Sequence, residues 1–68
     1  MTVRYEGVIV TWIGRGHYGF AKSEKLEKDV YLHLNHFVSA IVPRVGLRVS
    51  FELKKENQRY AGYNVTVI

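Results

Sequence analysis

The chain has 68 residues, no cysteine and a formal net charge of +4. A chain this short forms one small domain, and without cysteine it has neither a disulfide framework nor a thiolate metal site. No apolar stretch reaches the roughly 18 residues of a membrane span, and residues 1–5 lack the apolar core of a signal peptide. We therefore expect a single cytoplasmic domain over residues 1–68 with no membrane partner.

Alternating apolar and polar residues predict strands throughout the chain. The clearest alternation is LRVSFELK at residues 47–54, and no window shows a convincing helical period. Five short strands in one domain favour a closed or nearly closed barrel, because closure removes exposed edges. The predicted elements are strands at 3–13, 18–22, 29–34, 47–54 and 59–68, with turns at 14–17 and 55–58, a charged loop at 23–28 and one helical turn at 35–38.

The second and third strands carry aromatic side chains at a spacing of two residues. Tyr18 and Phe20 share one face of the second strand, and Tyr31 and His33 share the polar face of the third. If these strands pair antiparallel with their aliphatic residues in the core, the four rings form one outward-facing cluster, here called the aromatic patch. The alternative, that these rings belong to the barrel core, follows if the faces are misassigned by one residue.

Exposed rings at this spacing suit the unpaired bases of single-stranded RNA or DNA. Every base offers a flat face, and stacking on an aromatic side chain is worth about 1–3 kcal/mol per base. Trp12, near the end of the first strand, is expected to add a further platform. The predicted phosphate contacts are Arg15, Lys22 and Arg59, with Lys54 or Lys55, and Tyr60 completes the predicted nucleic-acid-binding residues.

Five segments in order resemble the cold-shock domain: GVIVTW at 7–12, YGFA at 18–21, DVYLH at 29–33, GLRVSFE at 46–52 and NVT at 64–66. The second and third are similar to the two ribonucleoprotein motifs of that family, commonly K-G-[FY]-G-F-I and V-F-V-H-F. The resemblance covers nearly the whole chain. It implies an all-β, five-stranded antiparallel barrel of the oligonucleotide-binding fold (OB-fold) that acts on single strands as an RNA chaperone or transcription antiterminator.

Several positions depart from the family pattern. Gly16-His17 replaces the usual Lys-Gly before the aromatic pair, and Thr11 replaces the Lys before the tryptophan. Leu34 follows the motif histidine where Phe is common. Between Trp12 and the aromatic pair the chain is one residue short, or the first strand contains an extra residue or a bulge. Fewer rings and cations predict weaker or altered binding.

Other functions have less support in the sequence. His17, His33 and His36 do not have the spacing of a structural metal site, and no serine has an evident activating base, so we expect no metal, no cofactor and no catalysis. Two alternatives stay open: a protein-interaction adaptor on a transcription or repressor complex, for which exposed aromatics serve equally well, and an OB-fold of the ribosomal-protein S1 type. The apolar end of the last strand, including Ile68, allows a homodimer.

Overall fold

β-branched and aromatic residues recur along the predicted strands, and the computed structural model, which describes residues 3–68, contains five strands. They form a closed barrel in the order β1-β2-β3-β5-β4. Neighbouring strands are antiparallel except for β3 and β5, whose parallel pairing is part of the closed ring. The predicted all-β, five-stranded barrel is confirmed. The strands are β1 Arg4–Ile13, β2 Tyr18–Lys22, β3 Val30–His33, β4 Arg48–Glu56 and β5 Arg59–Val67.

The barrel interior is filled by one aliphatic cluster and a single fully buried ring. The alternation predicted for the fourth strand is observed, since Val49 and Phe51 are completely buried while Leu47 and Leu53 pack at the margin of the core. Tyr5 stacks on Phe51 with 6.5 Å between ring centroids. The other members of the buried cluster are Ile9, Ala21, Val30, Leu32 and Val65.

The hairpin between β4 and β5 is tighter than the sequence predicted. The sequence predicts a turn over residues 55–58, but β4 continues to Glu56 and only Asn57 and Gln58 connect the strands. Both residues have positive φ, 49° and 66°. Left-handed backbone at two consecutive positions matches the right-handed twist of the flanking strands, so a two-residue turn suffices.

A β-bulge interrupts β1. Ile9 pairs with Ala21 and Thr11 pairs with Phe20, so Val10 is the additional residue on the β1 side. A bulge shifts every later side chain of its strand to the opposite face from the one that strict alternation assigns. The orientation of residues 11–13 therefore depends on Val10.

Arg4 joins three strands at a second bulge. Its guanidinium donates to the Ser50 hydroxyl in β4 at 2.9 Å and to the Asn64 carbonyl in β5 at 2.7 Å, and it forms an ion pair with Glu52 at 3.7 Å. Asn64 lies at the bulge with φ of 49°, a conformation that asparagine tolerates better than most residues. Its side-chain amide donates to Glu52 at 2.9 Å. This network holds the ends of β1, β4 and β5 together.

The helical turn after β3 begins earlier than predicted. A 3₁₀ turn spans Leu34–His36, and its cap is His33, whose Nδ1 accepts from the backbone N–H of Asn35 at 3.1 Å. Phe37 then forms an isolated bridge with Val65, so this turn lies against β5. No helix within residues 3–68 is long and apolar enough to cross a membrane.

Candidate nucleic-acid interface

The four side chains of the aromatic patch lie together on the outer face of β2 and β3. The strands pair antiparallel with Tyr18 opposite His33 and Phe20 opposite Tyr31. Ring centroids of the three larger side chains are 5.8–6.3 Å apart; two of the three contacts are edge-on and the third is tilted. All four side chains are half-buried, which leaves part of each ring accessible.

The residues between these rings occupy the core. Gly19 and Ala21 alternate with the rings of β2, and Val30 and Leu32 alternate with those of β3; all four are buried. Gly19 is required at its position, because a Cβ there would overlap the Thr11 carbonyl oxygen and lie 2.5 Å from Cε3 of Trp12. The aromatic face of β2 and β3 therefore points outward, and their small and aliphatic residues fill the barrel interior.

Trp12 does not lie beside the aromatic patch. The bulge at Val10 places it on the opposite side of β1 from the one that strict alternation assigns, and its role as a further platform stays a prediction. Thr11 faces Phe20 across the strands, whereas Trp12 pairs with the inward-facing Gly19 and packs against the margin of the core. Its ring is half-buried and meets Phe37 edge-on at a centroid distance of 6.0 Å.

The predicted cations lie at different distances from the patch. Arg59 approaches it most closely, with its guanidinium carbon 5.5 Å from the centroid of the Tyr31 ring. Lys22 is exposed and follows Phe20 by two residues on β2, and Arg15 is exposed in the turn that precedes Tyr18. The structure thus brings one cation directly onto the rings and leaves two at the ends of β2.

Tyr60 is not part of the patch. It is half-buried against the core, and Nζ of Lys55 lies 5.5 Å from its ring centroid. Tyr60 pairs with the buried Val30 in the parallel β3–β5 ladder, so it sits near the patch on the neighbouring strand without a ring contact to it. Its role in binding stays a prediction.

Two rings that the sequence did not indicate continue the patch. His36, in the 3₁₀ turn, lies 5.9 Å from His33 between ring centroids and stacks on Tyr63 of β5 at 4.2 Å with a tilt of 34°. Nζ of Lys54 is 4.8 Å from the centroid of the Tyr63 ring. His36 and Tyr63 are far apart in sequence, so local spacing does not predict their contact; the docking of the 3₁₀ turn on β5 brings them together. Residues 3–68 contain no cluster of three or more His, Asp or Glu side chains placed to hold a metal ion.

The electrostatics of this extension favour a neutral histidine. Burial, together with nearby His33 and Lys54, lowers the pKa of His36, while Glu56 and the Gly62 backbone act in the opposite direction. Desolvation and the adjacent Glu56 carboxylate raise the pKa of Tyr63, whose hydroxyl donates to that carboxylate at 3.4 Å. At neutral pH the stack therefore consists of two uncharged rings.

Comparison with solved structures supports the fold. No family model matches the chain, and no curated protein is significantly similar to it. Among solved structures it is similar to one described as "drosophila Unr CSD456", with a TM-score of 0.85 and 13% identity. The match covers 98% of this chain and 27% of the other. The fold is that of a cold-shock domain, reached with a very different sequence.

Proposed function

We propose that this protein binds single-stranded RNA or DNA by stacking bases on the aromatic patch. The observation that carries the proposal is the clustering of Tyr18, Phe20 and Tyr31 on the outer face, with Arg59 over the Tyr31 ring. Rings that are only half-buried on the outer face contribute less to stability than a core ring such as Phe51. Base stacking makes use of such rings, and a nearby guanidinium can contact phosphate or stack as well.

A single strand fits this surface better than a duplex. The rings form a shallow outer face of the barrel, and a duplex keeps its base faces stacked internally. Stacking accepts any base, so the interaction tolerates sequence. Tolerance of sequence suits an RNA chaperone or antiterminator acting in the cytoplasm, which is the cellular role we propose.

The test is a titration of labelled oligothymidylate followed by fluorescence anisotropy, with a duplex of equal length as the comparison. We expect the single strand to bind more tightly than the duplex, and the affinity to fall between about 50 mM and about 200 mM salt because phosphate contacts release counterions. Absence of binding at the lower salt concentration would refute the proposal. Anisotropy is preferred to tryptophan quenching because Trp12 packs at the margin of the core and meets Phe37 instead of a ring of the patch.

A protein-interaction adaptor is the second candidate, and a different surface favours it. Between β3 and β4 the chain exposes large apolar side chains: Val38 is 63% exposed and Val42 is 87% exposed. They border a cleft that also includes Phe37 and Ile41. Contiguous exposed apolar residues are typical of protein contacts. If oligothymidylate fails to bind at low salt, this surface becomes the functional candidate.

A further inference from the structure

The aromatic surface does not end at His33. The centroid distance from His33 to His36 is 5.9 Å, within the range of 5.8–6.3 Å that separates the rings of the patch. A strand that stacks successive bases along the patch therefore meets His36 as the next ring. Because the 3₁₀ turn is bridged to β5 through Phe37 and Val65, this ring has a fixed position relative to the strands.

Tyr63 restrains the position of the His36 ring by stacking on it. The two rings stack at 4.2 Å, and the Tyr63 hydroxyl is in turn held by the Glu56 carboxylate at 3.4 Å. Nζ of Lys54 lies over the Tyr63 ring at 4.8 Å, close enough to the stack to meet a phosphate beside a bound base. A side chain restrained in this way loses little conformational freedom when a ligand stacks on it.

His36 also has an unused polar atom. Its Nδ1 is shielded from solvent and has no hydrogen-bond partner within the described part of the chain. A polar atom in that situation is costly unless a partner is supplied. A base stacked on the face of the ring does not reach this shielded atom, which lies in the ring plane, so the ring face alone is available to the ligand. Since burial, together with nearby His33 and Lys54, lowers the pKa of His36, its ring is neutral at neutral pH.

We propose that His36, positioned by Tyr63, is an additional stacking position that takes one further base of a single strand beyond the aromatic patch. This inference rests on the proposed function and specifies its ligand: a strand long enough to reach from Phe20 past His33 to the 3₁₀ turn. Lys54 contacts the phosphate of that additional nucleotide. Shorter strands occupy the patch alone.

The test compares a thymidine tetranucleotide with a thymidine octanucleotide, each titrated by NMR into the native chain and three variants. His36→Ala should weaken octanucleotide binding about fivefold or more, which corresponds to the loss of about 1 kcal/mol of stacking. It should change tetranucleotide binding less than twofold, about 0.4 kcal/mol. His36→Phe keeps an aromatic ring and should retain most of the affinity. Asn35→Ala, an exposed position in the same turn, is the matched control and should bind both strands as the native chain does.

The outcomes separate this inference from the proposed function. If His36→Ala binds the octanucleotide as the native chain does, or weakens both strands equally, the additional stacking position is refuted while the patch can still bind. If the native chain binds neither strand, the proposed function is refuted and this extension with it. Circular dichroism of each variant checks the fold. If His36→Ala unfolds, His36→Gln provides the ring deletion, and normal octanucleotide affinity in that variant refutes the inference.

Discussion

Phe20→Ala and Phe51→Ala remove the same side chain from opposite faces of the barrel wall. Phe51 is completely buried and stacks on Tyr5. Deleting a buried phenylalanine costs about 3–5 kcal/mol. A domain of this length has a total stability of about 3–10 kcal/mol, so we expect Phe51→Ala to be largely unfolded or close to it.

Phe20→Ala should leave the barrel folded. Its ring is half-buried and meets Tyr18 and Tyr31 edge-on. Loss of those ring contacts and of partial burial should cost about 1–2 kcal/mol of stability. If a base stacks there, the affinity for a single strand should fall by about 1–3 kcal/mol, which is about 5- to 150-fold.

Urea unfolding followed by circular dichroism measures the first effect, and anisotropy with labelled oligothymidylate measures the second. Val67→Ala, an exposed apolar residue on β5, is the control and should alter neither strongly. The reasoning fails if Phe20→Ala unfolds as Phe51→Ala does, since the ring would then belong to the core. It also fails if Phe20→Ala binds the oligonucleotide with native affinity.

Three further predictions concern backbone approach, charge and pH. Gly19→Ala should destabilise the barrel by about 1–3 kcal/mol in urea unfolding, because the added Cβ overlaps β1. Gly14→Ala is the control and should be tolerated, because no atom lies within 4 Å of the added Cβ. Equal stabilities of the two variants would contradict the close approach of Gly19 to β1. Arg59→Gln should reduce the slope of log affinity against log salt by about 0.7, because one phosphate contact is lost. Arg44→Gln, on the exposed connection before β4, is the control and should leave the slope unchanged. An unchanged slope for Arg59→Gln would show that Arg59 does not contact phosphate. Because the pKa of His36 is lowered on folding, the unfolded state binds more protons below the usual value of 6.5, so the free energy of unfolding should fall as the pH drops through 6.5 and the lowered pKa. His36→Phe should show a smaller fall between about pH 7 and about pH 5.5, and identical pH profiles of the urea midpoint would refute this assignment.

The aromatic patch illustrates what periodicity in a strand predicts. In β2 and β3 successive side chains alternate between faces, and each strand has one aliphatic and one aromatic set. Burying the aliphatic set leaves Tyr18, Phe20, Tyr31 and His33 outside, so their common face follows from local sequence. The same reasoning correctly placed Val49 and Phe51 in the core.

Trp12 illustrates where that reasoning stops. β1 is apolar on both faces, so alternation along it does not locate a bulge. Comparison with the family pattern left an extra residue or a bulge in this strand as one of two alternatives, and the structure shows the bulge. One additional residue at Val10 moves Trp12 to the inner side and Thr11 to the outer side. The position of a bulge depends on how β1 pairs with β2, and pairing is a property of two strands.

Period-two alternation is a local property, so residue spacing predicts the strand content, the inward set of aliphatic residues and the outward set of rings on β2 and β3. Further rings join that set through contacts between distant parts of the chain. Barrel closure pairs β3 with β5 and docks the 3₁₀ turn on β5, which stacks His36 on Tyr63 across 27 positions of the chain (63 minus 36). Contacts between residues so far apart in the chain depend on how the strands pair in space, and residue spacing along a single strand does not predict them.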